Sequence, residues 1–197
     1  MTYHIPRIVH WAQNGTVAHY QTDDARQLAS PQLPAFINLS NYLYTGTDRT
    51  LNLLQSLAYL LSGYLVYGLS RKLGNSRIVN ILSSVIYFTS PIIFLEAFTT
   101  QVDVFSGLIL LCFVTVIFDY YSENFMLGTG REAISKTVLL AVFVGFGYIS
   151  KPSVCICMLV FIIALGISCL VKKESLKLMV IHILVALVTI IAVIVPE

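Results

Sequence analysis

Five residues in this chain could carry charge or exchange protons with a polar ligand: His4, Arg7, Glu96, Asp103 and Lys151. An arginine fork can grip phosphate oxygens bidentately, whereas lysine acts as a point charge. His4 and Arg7, with Trp11, recur at helical spacing and fall on one face of a helix. Lys151 precedes Pro152 at a break between two apolar runs, where Arg7 and Lys151 together would supply positive charge. Glu96 and Asp103 flank one polar joint. A carboxylate at the edge of an apolar span is costly unless paired or hydrated, so that joint is expected to face a wet cleft. Four of the five also have a plainer reading. Arg7 could meet lipid headgroups, Lys151 could snorkel, His4 and His10 could sit satisfied at an interface, and Asp103 could cap a helix.

The elements that must position these groups follow from composition. Of 197 residues, 57% are hydrophobic and 11% charged, against about 25% charged in an ordinary soluble domain. This is a membrane composition. A net charge of +2 leaves no clustered basic face, so nucleic acid is excluded as a partner. Cys112, Cys155, Cys157 and Cys169 lie inside apolar runs without the neighbours of a metal site. Met1 does not open a signal peptide; later segments insert the chain, or its beginning lies elsewhere.

Six apolar segments predict spans at about 50–70, 78–98, 104–121, 137–150, 152–171 and 178–195. Three joints hold Arg71, Lys72 and Arg77, then Arg131 and Lys136, then Lys172, Lys173 and Lys177, which is eight of the twelve Lys and Arg residues. The positive-inside rule places them in the cytoplasm. The opposite face receives residues 1–49, the joint at 99–103, the break at Lys151 and the terminal Pro196-Glu197. Tyr42, Tyr44, Tyr120 and Tyr121 fall near the interfaces. At 14 residues, segment 137–150 would reach only about 21 Å, short of a bilayer core. His182, alone in the last segment, reads as a helix–helix contact.

Residues 1–48 read as an external platform of short interfacial helices. Ile5, Ile8, Val9 and Ala12 form the apolar stripe of the first helix, Pro6 is tolerable in its first turn, and Asn14-Gly15 ends it. Ser30-Pro31 and Leu33-Pro34 mark turns. A second helix at 35–45 ends at Gly46, and Asp48 is placed to cap the first span. The fold class is therefore all-α, a polytopic transmembrane helix bundle (49–197) beneath an external loop (1–48).

The stretch Thr2-Tyr3-His4-Ile5-Pro6-Arg7, followed by His10-Trp11, Gln13-Asn14-Gly15, Val17-Ala18-His19-Tyr20 and Arg26-Gln27-Leu28, resembles the first external loop of bacterial polytopic glycosyltransferases of the GT-C superfamily. Within it, the likeness is to the branch of protein mannosyltransferases and aminoarabinose transferases. Asp48-Arg49, Leu51-Asn52-Leu53, Gln55, Thr99-Thr100-Gln101, Asp103 and Lys151-Pro152 also match. The pattern departs at Ser56, where relatives often carry Trp, and at Val102, where Asn is common.

The resemblance implies an inverting enzyme of the bacterial inner membrane, active at its outer face. It would move a sugar from a polyprenyl-phosphate-linked donor to a lipid or glycan acceptor, in contact with membrane lipids. Arg7, Lys151 and His4 would bind the donor phosphate. Asp103 and Glu96 are candidates for a second acid that orients the acceptor, and Asp103 for a ligand to a divalent metal, the one cofactor the resemblance suggests. Relatives carry the main base just before the tyrosine-histidine stretch, so it is expected to lie before Met1, which would leave this N-terminal fragment inactive alone. The rival readings are a non-catalytic membrane scaffold and a transporter. A transporter needs ionisable or broken elements near the bilayer midplane. Here the polar residues lie at the rim.

Overall fold

The computed structural model describes residues 4–29, 33–122, 130–173 and 175–195, without the side chains of Ala29 and residues 120–122. The turn expected at Ser30-Pro31, the side chains of Tyr120 and Tyr121, and Pro196-Glu197 lie outside the described residues. Among those described, every regular element is helical: α1 (His4–Asn14), α2 (Arg26–Ala29), α3 (Leu33–Thr45), α4 (Leu53–Lys72), α5 (Arg77–Thr89), α6 (Pro91–Glu96), α7 (Asp103–Ser122), α8 (Arg131–Ser150), α9 (Pro152–Val171) and α10 (Leu176–Ile194), with one 3-10 turn at Asp48–Thr50. The chain forms two compact units, Met1–Leu108 and Ile109–Glu197.

In the first unit, α1 packs on α3 through Ile8, Trp11 and Ala35, with Trp11 stacked on Phe36 at 5.3 Å. The buried stripe of α1 is His4, Arg7, Ile8 and Trp11. It keeps the expected spacing but starts one residue earlier than the stripe Ile5, Ile8, Val9, Ala12, a rotation of about 100°. Burying Trp11 against α3 covers more surface than Ala12 could. Both expected stops hold. Gly15 and Gly46 adopt φ of 63° and 67°, and the Gly46 N–H returns to the Tyr42 carbonyl at 2.8 Å. Leu33-Pro34 opens α3 rather than preceding it, with Pro34 in the first turn, where its missing N–H costs nothing. Asp48 does not cap α4. It begins the 3-10 turn, which Thr47 caps by accepting from the Arg49 N–H.

The second expected span is two helices, because Pro91 has no N–H for the Tyr87 carbonyl. Ser90 N–H takes that carbonyl at 3.3 Å, and the Tyr59 hydroxyl takes the Phe88 carbonyl at 2.6 Å. Tyr59, Ala58, Ala97 and Val104 make the core here. Gly63 admits the Phe88 ring between α4 and α5; a Cβ at Gly63 would collide with it.

In the second unit, α8 is 20 residues long, so the expectation of a short segment at 137–150 fails. Arg131 and Lys136 lie inside the helix, because Glu132 pairs with Lys136 at 3.1 Å one turn on and good helix formers continue the apolar run backwards. Lys151 breaks the chain as expected, with φ −160° and ψ 103°. Its N–H closes α8 on the Gly147 carbonyl at 2.8 Å and its carbonyl opens α9 by accepting from Val154 at 2.9 Å. His182 is a helix–helix contact: its Nδ1 lies 2.6 Å from the Thr137 hydroxyl, joining α10 to α8. A cavity of about 260 Å³ beside this pair is otherwise lined by apolar side chains such as Phe113, Ile117, Leu140 and Leu165.

Four helices among the described residues are long and apolar enough to cross a membrane: Asp48–Lys72, Arg131–Ser150, Pro152–Val171 and Leu176–Ile194. Their exposed residues, such as Ile156, Val160, Leu184 and Val188, suit lipid rather than water. The 13-residue α5 is shorter than a span, and α7, which carries Asp103 and Asp119 near its two ends, falls outside the four. The chain is an all-α, multi-pass membrane protein.

Candidate functional site

The first unit holds four of the five chemical residues, His4, Arg7, Glu96 and Asp103. His4 and Arg7 lie on the buried face of α1, and Asp103 is the first residue of α7, where an acid is favoured by the helix N-terminus. Asp103 is close enough to act on His4 electrostatically. Arg7 does not reach the surface. It is 1% exposed, its guanidinium lies over the Trp11 ring at 5.1 Å, and Nη1 donates to the Gln27 carbonyl at 3.3 Å.

Local chemistry holds that carbonyl in place. Asp24 accepts a two-pronged contact from Arg26, Nε to Oδ1 and Nη2 to Oδ2, each at 2.9 Å. It also takes the Arg26 backbone N–H at 3.0 Å. The Arg26 hydrogen bond keeps the Asp24 carboxyl below its ordinary range. This clip starts α2 and so fixes Gln27, whose side-chain Oε1 takes the Tyr20 hydroxyl at 2.7 Å. Tyr20 in turn stacks on His10 with ring centroids 3.7 Å apart. Burial raises the Tyr20 phenol, with Arg7 pulling the other way, so it stays protonated and donates.

His4 contributes no charge at neutral pH. Burial first, and the Arg7 guanidinium second, lower its pKa to about 4, while Asp103 opposes them. In that form its imidazole offers hydrogen-bonding groups, while Arg7 carries the charge.

Glu96 ends α6 and is half-buried. The Thr99 hydroxyl lies 2.9 Å from its backbone carbonyl and 3.2 Å from its carboxylate, so Glu96 helps to fold the joint before Asp103. Lys151 belongs to the second unit and is half-buried at the α8–α9 break. Among the described residues, no three His, Cys, Asp or Glu side chains gather as metal ligands. Asp103 belongs to no such group among them.

Sequence reasoning gave no role to Gln55, which is 1% exposed. Its Nε2 donates to the Gln101 carbonyl and its Oε1 accepts from the Phe105 N–H at 2.8 Å. Next to it, the Ser56 hydroxyl lies 2.9 Å from the Ala97 carbonyl, which gives the departure from Trp at this position a use. An amide near the start of an apolar helix was the available signal.

Comparison with known proteins places this arrangement in a family. The family model for dolichyl-phosphate-mannose-protein mannosyltransferases covers residues 29–196. It takes in Gln55, Glu96, Asp103 and Lys151, and begins after His4 and Arg7. No curated protein and no solved structure gave a match.

Proposed function

Since the chain belongs to the dolichyl-phosphate-mannose-protein mannosyltransferase family, and so to the membrane glycosyltransferases of GT-C type, we propose that it serves an inverting transfer of a sugar from a polyprenyl-phosphate donor to a lipid or glycan acceptor. The reaction would take place at the outer face of a bacterial inner membrane. The observation that carries this reading is the buried Arg7 beside His4, within electrostatic reach of Asp103.

Transfer from a lipid phosphate needs three things: a base for the acceptor hydroxyl, positive charge for the departing phosphate, and a site that excludes water. Arg7 supplies a fixed positive charge in low dielectric, where it acts over a longer range than in water. Its stacking on Trp11 and its bond to the Gln27 carbonyl help to hold it in place. His4, neutral, is a hydrogen-bonding partner for a phosphate or hydroxyl oxygen. Asp103 orients the acceptor hydroxyl, and Glu96 shapes the joint that carries it. Lys151 is proposed, on its own, as a further phosphate-binding cation at the α8–α9 break.

The test is reconstitution of the full gene product in proteoliposomes with labelled polyprenyl-phosphate hexoses. Transfer of label, sharply reduced yet still measurable in Asp103→Asn and in Arg7→Ala, is the expected result. Donor binding without consumption of any donor would overturn the enzyme reading in favour of a non-catalytic scaffold.

A further inference from the structure

The Gln55 carboxamide is chemically unambiguous. A donor must face the Gln101 carbonyl and an acceptor must face the Phe105 N–H, so the orientation of its nitrogen and oxygen is dictated by the backbone it meets. Phe105 is the third residue of α7, and the first intrahelical bond of that helix runs from Ser106 N–H to the Val102 carbonyl at 2.9 Å. The Phe105 N–H is therefore one of the helix-start donors with no carbonyl of its own helix to meet. Gln55 caps it from another helix.

Asp103 sits midway between the two anchored groups, two residues after Gln101 and two before Phe105. A single buried side chain of α4 thus pins the backbone on both sides of that carboxylate. Its neighbour Ser56 holds the start of the same joint through Ala97. Consecutive residues of one apolar helix fix both ends of a short polar segment, and nothing in helix stability alone requires both ends of the amide to be spent there.

We propose that Gln55 is a positioning residue for Asp103, setting where the carboxylate stands relative to α4 and hence to the acceptor hydroxyl. The inference rests on the reading of Asp103 given above. Loss of the amide leaves α4 apolar and well packed but frees the 101–105 backbone to shift, and a misplacement of about 1 Å in a reacting group costs up to about a hundredfold in rate.

The experiment is a double-mutant cycle in the reconstituted full gene product, with kcat and donor KM measured for Gln55→Met, Asp103→Asn and the pair. Gln55→Met is expected to lower kcat by about tenfold to a hundredfold at unchanged KM. In the Asp103→Asn background it should change kcat by less than about threefold, because its effect travels through the missing carboxylate. An equal loss in both backgrounds would overturn the proposal and make Gln55 a general support of the fold; so would wild-type kcat in Gln55→Met. If Asp103→Asn alone keeps wild-type kcat, the reading of Asp103 fails first and the inference falls with it. Should Gln55→Met not accumulate, Gln55→Glu, which keeps the acceptor opposite Phe105 and loses the donor to Gln101, is carried through the same cycle with the same criteria.

Discussion

Acidification should undock α1 from α3, and His4 sets the size of the effect. Its pKa is about 4 in the folded chain against an ordinary 6.5. The unfolded chain therefore binds the proton first as pH falls. The sign follows: the stabilisation is complete above pH 6.5 and is lost between there and about pH 4. Relative to pH 8, linkage gives a loss of about 2 kcal/mol at pH 5 and about 3 kcal/mol once both forms are protonated. Because α1 is a surface element of its unit, the loss should appear as local opening rather than global unfolding. Trp11, the only tryptophan, is on the same face of α1 and is 4% exposed, so its fluorescence reports the docking directly. Urea titrations in nanodiscs at pH 8 and pH 5 should show the weakening in the native chain and much less of it in His4→Gln, which cannot take up the proton. The same pH dependence in both proteins would refute the reasoning, as would a native chain whose Trp11 transition does not move.

Two further substitutions test the second unit. A Cβ at Gly145 would lie 2.7 Å from Cγ1 and 2.9 Å from Cβ of Val193, so Gly145→Ala should cost about 1–3 kcal/mol in mixed-micelle unfolding, and most of that cost should vanish in a Val193→Ala background. Thr137→Val keeps the shape but removes the hydroxyl 2.6 Å from His182 Nδ1; a loss of about 1 kcal/mol in the same assay, with a changed His182 Nδ1 nitrogen shift, is the expected outcome.

Much of the architecture is written locally. Long apolar runs must form helices in a bilayer because no water is present to satisfy their backbone, and so the all-α membrane class needs only composition and length. Gly15, Gly46 and the Lys151-Pro152 break are equally local, since each depends on one residue's backbone chemistry. Where neighbours compete, local reading fails. Ser90-Pro91 divides a span that hydropathy alone reads as continuous, and α8 extends back through Arg131 and Lys136 because Glu132 pairs within the helix. Helical spacing restricted α1 to a few possible faces, but packing against α3 chose the one led by His4, Arg7 and Trp11. Only that choice buries Arg7 and pushes His4 to its neutral form.

The family resemblance, and with it the glycosyltransferase class, was legible in motifs of a few residues each. The joining of Gln55 to the backbone on both sides of Asp103 was not, because it links residues 46 and 50 positions apart. The sequence determined which residues can carry charge and where helices must lie. The tertiary structure decided which of those charges survive burial and which side chain fixes Asp103, since desolvation and hydrogen-bond partners belong to the packed chain and not to any one segment of it.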